Sequence, residues 1–155
     1  MKAFYFWTTL LGAVAVDQAV KVLTVSNLVL GESRPIINGV FHLTLTHNTG
    51  IAFGLLQDRG WLTIPLAVAI VLAVVFYLIR HPQTPKWGQV ALGLLTGGAL
   101  ANMVDRIFRG YVVDMFDFRV WPVFNIADIS INAAVILYVV MTLKVSRAIK
   151  REAAS

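Results

Sequence analysis

Apolar residues gather in four blocks along this chain, each near the roughly 20 residues that a membrane-crossing helix needs. The blocks cover about 4–25, 61–79, 87–104 and 129–145. Asp17 and Lys21 interrupt the first, whereas the second carries no charge and tolerates Pro65 in its opening turns. The pattern predicts an all-α integral membrane protein, one membrane domain over 1–155, with four transmembrane helices and a small extracytoplasmic β element. That β element is expected within about 26–60. There, Asn38-Gly39 sits between apolar residues, a strong hairpin signal. Phe41, Leu43 and Leu45 then alternate with His42, Thr44 and Thr46, as in a half-buried strand. A hairpin resting on the membrane surface is expected, and with the glycine-rich segment Asn48–Gly54 it would cover a site beneath it.

Composition agrees with the pattern. The chain is 58% hydrophobic and 14% charged, against about 25% charged in a soluble domain. It has no cysteine, which excludes a disulfide framework, a thiolate nucleophile and a cysteine zinc site. The net charge of +5 forms no stripe for nucleic acid, because the basic residues sit at the ends of the apolar blocks. Four spans put both termini on one side, together with Lys2, Arg80, Lys86, Lys144, Arg147, Lys150 and Arg151 in short flanks and one tight loop. Lys21, Arg34, Arg59, Arg106, Arg109 and Arg119 are spread over far more residues on the other. This density predicts cytoplasmic termini and an outward-facing site. A cleavable signal peptide ending near Ala13-Val14-Ala15 is the competing reading of the N-terminus, but its removal would leave three spans and break this topology.

The polar residues within or beside the blocks narrow the chemistry. Asp17 and Lys21 are four apart on one helix face and read as a structural ion pair. Gly93, Gly97 and Ala101, with Gly98 alongside, offer a close helix–helix approach. Asn102, Asp105 and Arg106 end the third helix, where the dipole opposes an acid, so Asp105 needs a cation or backbone amides. Asp128 follows Asn125 by three residues, so Asn125 as a helix cap with Asp128 in the first turn explains both without any chemistry. Asp114, between Val112-Val113 and Met115-Phe116, has no such explanation and needs a partner. Asp117 rivals it, and the local pattern does not rank the two. His42 and His47 lack the spacing of a helical metal pair, and no register unites Ser26 with Lys21 as a serine–lysine peptidase.

Paired carboxylates suit aspartic peptide hydrolysis. Two anions about 4 Å apart repel by roughly 4 kcal/mol at an effective dielectric near 20, so one holds a proton while the other stays ionised. A small proton- or ion-coupled transporter is the rival, since membrane aspartates also serve as relays. It needs a polar path, yet the second span is uncharged and the polar groups crowd one face. A non-enzymatic scaffold accounts for the glycines but not for the aspartates.

Five blocks in order carry a family resemblance: Asp17-Gln18 with Lys21, Asn48-Thr49-Gly50-Ile51-Ala52-Phe53-Gly54, Gly97 to Arg106, Val112-Val113-Asp114, and Phe124 to Ser130. The chain resembles the bacterial lipoprotein signal peptidases, or signal peptidase II. The resemblance implies a cofactor-free, metal-free aspartic endopeptidase of the bacterial inner membrane, cutting diacylglyceryl-modified prolipoproteins before the lipidated cysteine. It implies prolipoprotein and membrane-lipid partners, no nucleic acid, and a monomer. It places catalysis on Asp114 and Asp128, with Asp17, Lys21, Asn48, Gly50, Ala52, Asn102, Asp105, Arg106, Asn125 and Ala127 binding substrate or supporting the site. Ile51 stands where the family commonly has a small residue, and Ala101 where it commonly has glycine.

Overall fold

The structure, a computed structural model, describes residues 3–50 and 57–152. Lys2, Ile51 and Ala52 lie outside the described residues, as does the 51–54 part of the glycine-rich segment. Among the described residues there are four long helices: α1 (Phe4–Asn27), α2 (Thr63–Arg80), α3 (Lys86–Arg109) and α4 (Ile126–Glu152). Each contains a stretch long and apolar enough to cross a bilayer. Leu66, Leu72, Phe76 and Ile79 of α2 stand exposed, an apolar face suited to lipid rather than water. This is a multi-span membrane protein. Helix α4 begins at Ile126, ahead of the boundary near 129 that hydropathy suggests, because a polar cap rather than the apolar run starts it.

Helix α3 packs against α1, α4 and α2 and is the most buried of the four. Its glycines make this possible. A Cβ on Gly93 would lie 2.7 Å from Phe6 O, and one on Gly97 2.9 Å from Leu10 O, so these two seat α1. A Cβ on Gly98 would lie 2.5 Å from Ala127 O, so Gly98 seats the first turn of α4. Lipid provides no hydrophobic drive between helices, so such close contact supplies packing energy instead.

The expected hairpin is formed by β1 (Ser33–Ile37) and β2 (Phe41–Asn48). Its turn is closed by Val40 N–H donating to Ile37 O at 3.0 Å, with Gly39 at φ +72°, a left-handed conformation that glycine adopts without penalty. The β element is larger than the 26–60 segment. A third strand, β3 (Val112–Asp117), arrives from the α3–α4 connection and pairs antiparallel with β2, giving the order β1-β2-β3. The alternation expected in β2 is broken, since Thr44 and Leu45 are both buried. Pairing shifts between Leu43 and Thr46, and such an irregularity turns the strand locally. Leu28, Leu45, Val113 and Met115 form a buried cluster that anchors the sheet to the end of α1.

Candidate active site

Asp114 lies within β3 and Asp128 in the first turn of α4. Both line an open groove of about 970 Å³, shared with Asn48, Asn102, Arg106 and Asn125. Burial of Val112, Val113 and Met115 holds the strand, while pairing of Asp114 with Thr46 sets its register.

Three asparagine amides present donors to the two acids, and each amide has its orientation decided by a neighbour that can only donate. The Gly50 N–H donates to Asn48 Oδ1 at 3.0 Å, turning Asn48 Nδ2 toward Asp114 Oδ2 at 2.9 Å. The Lys21 ammonium donates to Asn102 Oδ1 at 3.1 Å, turning Asn102 Nδ2 toward Asp128 Oδ1 at 3.0 Å. The Asp128 N–H donates to Asn125 Oδ1 at 2.9 Å, turning Asn125 Nδ2 toward Asp114 Oδ1 at 2.6 Å. Asn125 N–H also donates to Asp128 Oδ2 at 3.3 Å, which completes a reciprocal cap at the start of α4. The side chain that caps α4 is thus also the one that reaches Asp114. One oxygen of Asp128 serves the cap and the other receives the Asn102 amide.

Burial pushes the Asp114 carboxyl up to about 7, with the charge of Asp128 adding to the effect. The Asn48 and Asn125 donors and the positive charge of Lys21 oppose the rise without cancelling it. Asp117 differs. Burial alone would raise it, but the Arg119 N–H, the Thr44 hydroxyl and the Arg119 guanidinium hold it below the usual carboxylate range. Asp117 is not among the described residues that line the groove. Strand alternation separates residues three apart onto opposite faces.

Asp17 and Lys21 form the expected ion pair at 2.7 Å, but it is part of something larger. Lys21 also reaches Asp105 at 2.8 Å, and Asp105 pairs with Arg109 at 2.7 Å. Val113 N–H donates to Asp105 at 3.2 Å, so the acid at the helix C-terminus has both the cations and the backbone amide it needs. Ala127 contributes its N–H, which donates to Asp17 Oδ1 at 2.8 Å. Arg106 faces the groove and donates to Gly50 O at 2.9 Å, tying the end of β2 to α3. Ala52 falls outside the described residues. Two participants escaped the sequence reading of individual roles. Arg109 stands four residues after Asp105, a spacing that signals the pair. Gln18 donates to Asp17 and Asp105, a link between α1 and α3 with no local signal.

Together these features define a multi-span membrane protein with a groove holding two amide-supported carboxylates. The family model described as signal peptidase (SPase) II matches residues 9–144. A lipoprotein signal peptidase of Desulfitobacterium hafniense is 43% identical over 138 residues, 88% of this chain and 91% of that protein. One from Halothermothrix orenii is 48% identical over 130 residues, 81% of this chain and 88% of that protein. A solved bacterial membrane enzyme structure, obtained by the in meso method, superposes with a TM-score of 0.82 at 32% identity, covering 90% of this chain and 87% of that one. The chain belongs to the signal peptidase II family. It is a membrane peptidase with lipoprotein signal peptidase function, which displaces the transporter and scaffold alternatives.

Proposed function

We propose that this peptidase is of the aspartic type, that Asp114 and Asp128 are its catalytic pair, and that it cuts before a cysteine carrying diacylglycerol. The observation that carries this reading is the facing of both carboxylates onto one groove, each supported by asparagine donors. With a carboxyl raised to about 7, Asp114 holds the shared proton and Asp128 acts as the base. Asp128 takes a proton from water, and the hydroxide oxygen bonds to the scissile carbonyl carbon. Asp114 passes its proton to the carbonyl oxygen. As the C–N bond breaks, the proton on Asp128 goes to the leaving amine, and Asp114 recovers its own as the new carboxyl forms. No acyl-enzyme is involved.

The groove is open, and its walls include Ile129, Ile131 and Ile136 of α4 beside the polar groups. A substrate entering sideways can keep its acyl chains in hydrocarbon while its peptide bond meets the carboxylates. Each buried CH₂ is worth about 0.8 kcal/mol, so a diacyl anchor holds the substrate in the membrane plane. Asn102, Arg106 and Asn48 line the groove and serve the substrate backbone, while Asp17, Lys21, Asp105 and Ala127 support from beneath. The density of basic residues favours cytoplasmic termini, and hence a groove on the outer side of a bacterial inner membrane.

The test is cleavage of a diacylglyceryl-modified prolipoprotein by purified wild type, Asp114→Asn and Asp128→Asn, beside the unlipidated precursor, with products identified by mass spectrometry. Wild type alone should cut, before the lipidated cysteine. Turnover surviving in a folded Asp114→Asn or Asp128→Asn protein would sink the pair.

A further inference from the structure

Lys21, Asp17 and Asp105 are all but fully buried, and none is among the described residues lining the groove. They cannot touch a substrate there. Yet each of the two acids holds the main chain immediately before one groove aspartate. Asp17 Oδ1 accepts the N–H of Ala127, which precedes Asp128. Asp105 Oδ2 accepts the N–H of Val113, which precedes Asp114. The same two acids grip one ammonium, at 2.7 Å and 2.8 Å. That ammonium spends its third bond on Asn102 Oδ1, the amide that faces Asp128. An ammonium has three donors, and all three are used on this frame.

We infer that Lys21 is a positioning residue that sets the separation of Asp114 and Asp128, acting through Asp105 on β3 and through Asp17 on α4. The inference rests on the catalytic pair proposed above. Neutralising buried acids explains less than the geometry contains. Arg109 already faces Asp105, and a cation needed for charge alone has no reason to touch both backbone-holding acids and the Asn102 amide at once. Ala127 has no slack on its other side, because its carbonyl lies against Gly98. Movement of Asp17 is therefore transmitted to Asp128 rather than absorbed. Without the ammonium, Asp17 and Asp105 repel, and β3 and the start of α4 lose their common tie. The charged groups around Lys21 are Asp17 on its own helix, Asp105 on α3 with Arg109 behind it, and the two groove acids, Asp114 on β3 and Asp128 on α4; Asp114 itself faces Asp128 and the Arg106 guanidinium.

The experiment measures kcat, KM and the pH–rate profile of folded Lys21→Met and Asp17→Asn on a lipidated prolipoprotein, each at its own pH optimum, with Asp114→Asn in parallel. Lys21→Met should lose about 10²-fold in kcat, the scale of a misplacement near 1 Å, with KM little changed. Its alkaline limb should move to higher pH, because a positive charge that helps Asp114 release its proton is gone. Asp17→Asn keeps an oxygen for the Ala127 N–H and loses only a negative charge, so its limb should move to lower pH. Opposite shifts in two variants cannot come from partial unfolding. Recovery of wild-type kcat by Lys21→Met at its own optimum would overturn positioning and leave charge alone. Equal losses in kcat and in apparent affinity, or limbs unmoved in both variants, would overturn it too. If Lys21→Met does not fold, the kcat of Asp17→Asn at its own optimum decides by itself: a loss with KM little changed supports the frame, because the grip of Lys21 on α1 is loosened, and wild-type kcat overturns it. Activity in Asp114→Asn removes the catalytic pair, and the frame with it; an inactive Asp114→Asn beside unmoved limbs removes the frame alone.

Discussion

Asn125 Nδ2 stands 2.6 Å from Asp114 Oδ1, so the residue that caps α4 also grips the acid on β3. One side chain thereby fixes a strand residue relative to a helix start. Its carbonyl oxygen is committed to the Asp128 N–H, which leaves only the NH₂ for Asp114. The cap is what orients the donor.

Asn125→Ala should therefore act on stability and turnover together. Losing the cap costs about 1 kcal/mol, visible as a modestly lower melting temperature in detergent. Losing the donor to Asp114 should lower kcat by about 10²-fold or more, as for other preorganised donors. Asn125→Asp should be no better, because it sets a third carboxylate against Asp114. Near-wild-type kcat in either variant would separate the cap from the chemistry.

The raised carboxyl of Asp114 predicts the alkaline side of the pH profile. With a value of about 7, Asp114 holds its proton below that pH and loses it above. A mechanism needing that proton should show kcat/KM falling as pH rises through about 7, and falling again at low pH once Asp128 itself is protonated. A profile measured from about pH 4 to pH 9 checks this; activity flat through pH 9 would mean that the proton is not on Asp114.

Asp117→Asn should keep most of the turnover, with an unmoved alkaline limb. Its carboxylate is occupied by Thr44 and Arg119, and the Arg119 side chain is half exposed. Loss of activity comparable to that of Asp114→Asn would reassign the acid.

The helix contacts predict an asymmetry between two glycines. Gly98→Ala would drive a methyl to within 2.5 Å of Ala127 O and 2.8 Å of Ile131 Cγ1, displacing the turn that carries Asp128. Gly12→Ala meets nothing within 4 Å. The first should reduce kcat sharply while the second keeps it and gains up to about 1 kcal/mol of helix stability. Equal behaviour of the two would mean that α4 can slide on α3 without consequence.

How much of this was legible beforehand follows from the range of the interactions. The four spans, the hairpin at Gly39 and the cap at Asn125 rest on contacts between residues a few positions apart, and local pattern is enough to specify those. The same pattern showed that Asp105 lacked a partner but could not name Lys21, because α1 and α3 meet through Gly93 and Gly97 far along the chain. Asp114 and Asp117 could be told apart by residues alone only as members of opposite strand faces. Which face meets the groove was decided by pairing with β2 and by the α4 cap reaching across to β3. Asp17 finds the Ala127 N–H 110 residues away for the same reason. Side-chain periodicity encodes which residues must be buried, whereas the partner of a buried charge is chosen only when helices that approach through their glycines bring distant polar groups within hydrogen-bond reach.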